Sequence, residues 1–146
     1  MNEDFVTYEL AIKLKEKGFN LHCVSFYALE NFTAEYVDSC GDCYEVDFEK
    51  GILYLNYPLR YKKFEEKMLP APTISQVLKW LRDKKKIYIV IAVNPTLSTK
   101  DKIAYYYQVY SNSNGVTSDY YESEECYAQW EECAIDSIKY VLYNLI

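Results

Sequence analysis

The chain has 146 residues, 17 of them tyrosine, and carries a formal charge of −6. An acidic chain is repelled by phosphate backbones unless its lysines gather on one face, which weighs against a nucleic-acid partner. No run approaches the roughly 18 apolar residues of a membrane helix, and four glycines and four prolines leave little room for long linkers, so a single domain over 1–146 is expected.

Met1-Asn2-Glu3-Asp4 opens acidic with no apolar stretch behind it, so no secretory signal is expected. The five cysteines then read as reduced thiols, and their odd number suits a cytoplasmic protein. Asp4 to Lys17 predicts the first helix: Val6, Leu10, Ala11 and Leu14 recur at helical spacing, and Lys13, Lys15, Glu16 and Lys17 fill the other side. Gly18 suits the left-handed position after the helix, with Phe19 folding back onto Leu14 in a Schellman stop.

Leu21 to Leu29 predicts a strand that sets Cys23, Ser25 and Tyr27 against His22, Val24 and Phe26. Asn31 to Asp42 fits no single element and holds a turn at Cys40-Gly41-Asp42-Cys43. Tyr44 to Phe48 and Ile52 to Tyr57 predict two strands of a hairpin about Glu49-Lys50-Gly51. Tyr61 to Met68 is a charged connection with room for a short helical turn.

The most strongly patterned stretch is Pro70 to Asn94. After Ala71-Pro72, Thr73 is a natural N-cap for a helix carrying Ile74, Val77, Leu78 and Leu81, with Trp80 at the edge of that stripe. Asp83 to Lys86 ends it with lysines matched to the helix dipole. Ile87 to Val93 is apolar on both faces and predicts a central strand. After the loop Asn94 to Asp101, Ile103 to Tyr110 predicts its antiparallel partner. There Ile103, Tyr105, Tyr107 and Val109 share one face, and Ala104, Tyr106, Gln108 and Tyr110 the other.

Ser111 to Gly115 reads as a turn and Val116 to Tyr120 as a short strand. Ser123 is expected to cap the last helix, with Glu124 and Glu125 in its first turn. Its buried stripe would be Tyr127, Trp130, Ala134, Ile138, Val141, Leu142 and Leu145. The expected class is α+β, an antiparallel sheet packed by about three helices in the order α-β-β-β-α-β-β(-β)-α.

At its centre, APTISQVLKWLRDKKKIYI, preceded by VTYELAIKLKEKGF, resembles small proteins widespread in gut Bacteroidetes and their prophage-like or mobile elements. In that family the first helix, the APT-headed helix and a tyrosine-rich strand before an acidic-headed final helix recur. The likeness covers roughly the first thirty residues and everything from Ala71 onward, and nothing between Asn31 and Lys67. It implies a bacterial cytoplasmic origin and supplies no catalytic residues, since the family has no assigned activity.

Cys40-x-x-Cys43 is the spacing closest to a metal site, with His22 and Cys23 upstream. Zinc wants four ligands in a tetrahedron, and neighbours on a strand point to opposite faces, so a matched second pair is missing. Cys126 and Cys133, seven apart on a helix, would lie about 10 Å apart along it. The bland reading makes all five cysteines small apolar residues. His22 and Cys23, as neighbours on a strand, would diverge and not form the hydrogen bond that activates a thiol, and a single histidine removes most general-base schemes. Glu122, Glu124, Glu125, Glu131 and Glu132 read as a solvated helix face, and no cofactor is implied.

Tyr88, Tyr106 and Tyr110 are expected on the sheet face opposite the packed one, where exposed aromatics can bind a protein or stack bases. Tyrosine also favours strands and pairs across them, so the same residues serve as sheet stabilisers. Three functions are therefore carried forward. The first is a non-enzymatic accessory or interaction protein of a mobile element, acting through this face or by self-association. The second is a nucleic-acid module using Lys13-Lys15-Lys17, Lys62-Lys63 and Lys84-Lys85-Lys86 with these tyrosines. The third is a zinc site or enzyme at Cys40 and Cys43.

Overall fold

A computed structural model describes residues 4–37, 39–55, 66–112 and 119–146. The fold is α+β, with three helices and three antiparallel sheets among the described residues. The chain divides into two compact units, Phe5–Pro72 and Met1–Asp4 with Thr73–Ile146.

In the first unit, α1 (Tyr8–Glu16) begins later than its apolar spacing suggests. The Val6 N–H donates to the Pro72 carbonyl at 3.1 Å, which holds that segment extended, and the Thr7 hydroxyl caps the helix by accepting from the Leu10 N–H. The predicted stop is present: Phe19 N–H reaches the Leu14 carbonyl at 2.9 Å and Gly18 N–H the Lys15 carbonyl at 3.1 Å. That 6→1 and 5→2 pair is the Schellman pattern, and Gly18 sits at φ +89° as it requires.

Five short strands follow: β1 (Phe26–Ala28), β2 (Phe32–Val37), β3 (Cys43–Phe48), β4 (Leu53–Tyr54) and β5 (Met68–Pro70). They form a sheet in the order β4-β1-β5 and a separate β2-β3 hairpin. The strand expected over Leu21 to Leu29 shrinks to three residues because its partners offer only two and three to pair with. The unassigned stretch from Asn31 contains β2, whose register with β3 runs from Phe32↔Phe48 to Val37↔Cys43.

The hairpin expected about Glu49-Lys50-Gly51 does not form. The turn itself is there, closed by Ile52 N–H to the Glu49 carbonyl at 3.2 Å with Gly51 at φ +80°. Its backbone is anchored elsewhere, however: Gly51 N–H donates to the Ala28 carbonyl at 2.8 Å and Lys50 N–H to Asn31 Oδ1 at 2.8 Å. β3 therefore pairs with β2 and β4 with β1. What joins the two sheets is a buried cluster of Phe26, Ala28, Phe32, Ala34, Phe48 and Met68 with Val46 and Tyr54 packed against it. Phe32 stacks on Phe48 at 4.8 Å, and Tyr54 meets Phe48 edge-on at 4.8 Å. Most of the connection expected from Tyr61 to Met68, including Lys62 and Lys63, lies outside the described residues; β5 begins at its last residue.

The second unit opens on α2 (Ile74–Trp80), capped as predicted. The Thr73 hydroxyl accepts from the Gln76 N–H, and the Gln76 side chain accepts from the Thr73 N–H, a complete capping box. Ile74, Val77 and Leu81 are buried, and so is Trp80, which the spacing set at the stripe's edge. Its ring carries the Lys85 ammonium 5.4 Å from its centroid. α2 runs into a π-helical turn, Leu81–Lys85, and stops at Lys86 in the left-handed region, φ 57°. The Lys86 ammonium donates to the Asp83 carbonyl at 3.2 Å, satisfying one open acceptor of that turn.

β6 (Ile87–Val93), β7 (Tyr105–Ser111) and β8 (Asp119–Glu122) form an antiparallel sheet in that order. Among the described residues β6 is thus an edge strand and β7 the middle one, contrary to the expectation from the two apolar faces of β6. The turn expected over Ser111 to Gly115 and the start of the strand expected at Val116 lie mostly outside the described residues.

Ser123 does not cap a helix. Its N–H donates to the Tyr107 carbonyl at 2.9 Å and its hydroxyl accepts from the Tyr107 N–H, so the chain is still pairing with β7 there. Tyr127 pairs with Tyr105 by two backbone hydrogen bonds of 2.8 Å before α3 (Trp130–Asn144) begins. The acids in the first turn of α3 are Glu131 and Glu132, not Glu124 and Glu125. Cys133, Ala134, Ser137, Ile138, Val141 and Leu142 are its buried face, against α2 and one side of β6 and β7.

Candidate functional site

The register of the second sheet decides which tyrosines pack and which face out. Ile89 lies opposite Val109, Ile91 opposite Tyr107, and Val109 opposite Tyr121. Tyr107 and Val109 are buried there, and Ile89, Ile91 and Tyr121 half-buried, so this is the side that α3 covers. Tyr121 stacks on Tyr140 of α3 at 3.8 Å and 9°, and Tyr107 lies 6.0 to 6.4 Å from Tyr121, Tyr127 and Tyr140. Burial pushes the Tyr107 and Tyr127 hydroxyls well above the usual phenol range, and a hydrogen bond to Asp136 adds to the effect at Tyr127. Tyr107 is core, with Tyr121, Tyr127 and Tyr140 half-buried around it.

The other side reads Tyr88↔Tyr110↔Tyr120 in one row, Val90↔Gln108↔Glu122 in the next, and Ala92↔Tyr106 beyond it. The three tyrosines singled out in the sequence, Tyr88, Tyr106 and Tyr110, are thus on one face. Tyr88 is 40 % exposed, Val90 43 % and Tyr120 52 %, whereas Tyr106 and Tyr110 are half-buried. The Tyr110 and Tyr120 rings lie 5.1 Å apart.

Their polar ends are tied together. Gln108 Nε2 donates to the Tyr120 hydroxyl at 3.1 Å and to Glu122 Oε1 at 3.2 Å, and the Tyr120 hydroxyl donates to Glu122 Oε1 at 3.1 Å. Tyr120 therefore holds its proton more tightly than an ordinary phenol, through desolvation and then through that carboxylate. Tyr120 and Val90 lie outside the expected site residues, Gln108 falls on the expected face without having been singled out, and Glu122 is on β8 rather than on a helix. The signal that would have found them is the continuation of alternation from β7 into β8, where Tyr120 and Glu122 fall on the Tyr110 side.

The remaining candidates separate. Cys40 and Cys43 are exposed at the β2–β3 turn and form no disulfide, and Gly41 between them takes φ +86°. His22 and Cys23 precede β1 rather than lying within a strand, and burial pushes the Cys23 thiol up to about 11. Among the described residues no group of three or more His, Cys, Asp or Glu side chains is arranged to hold a metal ion. Cys126 and Cys133 do not share a helix: Cys126 is exposed ahead of α3 with its sulfur 3.5 Å from Asn94 Nδ2, and Cys133 is buried within α3.

Of the lysine clusters, Lys13, Lys15 and Lys17 belong to the first unit and Lys84 to Lys86 to the second. Lys13 pairs with Glu16 at 3.3 Å, and Asp83 is held below the usual carboxylate range by its hydrogen bond from Lys79. A cleft of about 280 Å³ beside α3 is lined by Tyr107, Asp136, Lys139, Tyr140, Tyr143 and Asn144. Among the described residues no helix is long and apolar enough to cross a membrane. No protein-family model, curated protein or solved structure matches the chain.

Proposed function

We propose that this chain is a non-enzymatic interaction protein of a bacterial prophage or mobile element, binding a protein partner through the outer face of β6-β7-β8. The observation that carries this reading is the Tyr88–Tyr110–Tyr120 row beside exposed Val90, on the side of the sheet that α3 leaves open. Tyrosine suits such a face because it offers a large contact area on few rotatable bonds and keeps a hydroxyl for hydrogen bonding. The Gln108–Tyr120–Glu122 network fixes the polar ends before a partner arrives, which lowers the ordering cost of binding. Glu122 within that network, together with the net charge of −6, favours a protein over a phosphate backbone. The mobile-element setting rests on the likeness of the central motif.

The test is affinity purification of the tagged chain from its bacterial host, beside the double variant Tyr88→Ser/Tyr120→Ser. The wild type should co-purify a protein in near-stoichiometric amount and the double variant should lose it. A monomer that recovers no partner, or a variant that keeps the same one, ends the proposal. Salt-sensitive binding to oligonucleotides would redirect it to nucleic acid.

A further inference from the structure

The backbone of β6 carries a second interaction element that is distinct from the aromatic face. The Asn94 N–H donates to the Ala104 carbonyl at 2.7 Å and the Asn112 N–H to the Lys86 carbonyl at 3.0 Å, one pair at each end of the β6–β7 ladder. Antiparallel pairs alternate between bonded and non-bonded. These two ends therefore place the backbone groups of Tyr88, Val90 and Ala92 toward β7. Ile87, Ile89, Ile91 and Val93 direct their N–H and C=O groups to the opposite edge. Among the described residues nothing pairs with them there.

Exposed edges are normally blunted by lysine, proline, a bulge or a covering element. Ile87–Val93 contains no charge, no proline and no glycine, and its register with β7 is unbroken over all seven residues. At 3.4 Å per residue it offers about 24 Å of straight edge.

We infer that this edge pairs with the same edge of a second copy, antiparallel about a two-fold axis at Val90, to make a continuous sheet β8-β7-β6-β6-β7-β8. The strand's own sequence argues for a second copy. A two-fold at Val90 sets Ile87 against Val93, Tyr88 against Ala92, Ile89 against Ile91 and Val90 against itself, so every contact is apolar. It also brings the outward backbone groups of Ile87, Ile89, Ile91 and Val93 onto one another. Sliding the register by one residue would set those groups against ones already used by β7. Shifts of two keep the parity but shorten the ladder, so the Val90 register alone uses the whole strand. Lys86 then faces Asn94, with no like charges opposed.

This inference extends the reading of the sheet as an interaction unit and rests on it. It names one partner for the sheet's edge and leaves the aromatic face free for another. The contact made by two strands alone falls below about 1,200 Å², the range of transient assemblies, so the dimer should dissociate on dilution.

The experiment is sedimentation velocity over a concentration series, from low micromolar to about 1 mM, on the wild type, Val90→Lys, Val90→Glu and their equimolar mixture. Val90 is 43 % exposed, so either charge is accommodated in the monomer, but in the dimer it meets its own copy across a non-hydrogen-bonded pair. The wild type should move toward twice its 17.3 kDa mass. Each variant should associate about tenfold more weakly or less, like charges being opposed. Mixing Lys with Glu should restore assembly. Amide exchange on the wild type supplies an independent reading, with protection at Ile89 and Ile91 rising with concentration.

A wild type that stays monomeric throughout, or a Val90→Lys protein that assembles equally well, overturns the inference. So does exchange at Ile89 and Ile91 that ignores concentration, whatever the variants do. Tyr120→Ser should leave self-association unchanged, so loss of the face partner and loss of the dimer are separable results.

Discussion

The assignment of faces in β6-β7-β8 makes a sharp prediction about two tyrosines in neighbouring strands. Tyr107 is 5 % exposed and surrounded by the rings of Tyr121, Tyr127 and Tyr140, whereas Tyr88 is 40 % exposed on the other side. Truncating a buried aromatic ring to alanine costs about 3–5 kcal/mol, through lost transfer free energy and the cavity left behind. That is a large share of the roughly 5–15 kcal/mol that holds a domain together. Tyr88→Ser forfeits strand propensity and one cross-strand contact, at most about 1 kcal/mol. With a urea slope of about 2 kcal/mol per molar, the midpoint should fall by about 2 M for Tyr107→Ala and by about 0.5 M or less for Tyr88→Ser. Trp80 and Trp130 are the chain's two tryptophans and both belong to Thr73–Ile146, so tryptophan fluorescence during the titration reports this unit alone. Equal midpoint shifts, or a larger one for Tyr88→Ser, would show that the faces have been assigned the wrong way round.

Other consequences concern caps and thiols. Gly18→Ala forces a Cβ into φ +89° where nothing lies within 4 Å, so the cost is conformational alone, about 1–2 kcal/mol, visible as a lower thermal midpoint. Thr73→Ala removes the capping-box acceptor and should cost about 1 kcal/mol, read as a smaller midpoint drop in the same tryptophan assay. Cys40, Cys43 and Cys126 should react quickly with Ellman's reagent in the folded protein, half-buried Cys23 more slowly, and buried Cys133 only on unfolding. Burial raises these two thiols from 9.0 to about 11 and about 12, so above pH 9 the unfolded chain sheds protons that the folded chain retains. Their contribution to stability is complete below pH 9 and is lost as pH climbs toward 12, so the urea midpoint should fall over that window.

Much of this fold is written locally. The lysines and Gly18 at the end of α1, and Thr73 three residues ahead of Gln76, specify their helix ends by short-range hydrogen bonds that a sequence displays directly. Alternation in β6 and β7 likewise put Tyr88, Tyr106 and Tyr110 on one face, as the register has it. The misjudged features all depend on partners far along the chain. Glu49-Lys50-Gly51 makes its turn, but Ala28 and Asn31 capture the turn's backbone, so no hairpin follows.

Ser123 has the chemistry of a cap and is used by Tyr107 instead. Tyr127 is held by Tyr105, and α3 starts only after that pairing ends. β6 looks central because both faces are apolar, yet among the described residues it lies at the sheet's edge with one apolar face turned away from α3. Lys86 in the left-handed region is where a glycine would be expected, and nothing in its identity announces it.

Photo-crosslinking in the living host tests the proposed docking surface on the outer face of β6-β7-β8. Benzoylphenylalanine placed at Tyr88 or Tyr120 probes that face; placed at Tyr143, which is 57 % exposed on α3, it probes an equally accessible control. A docking face there should give a discrete crosslinked protein from Tyr88 and Tyr120 and none from Tyr143. Crosslinks from Tyr143 alone, or the same pattern from all three, would contradict it.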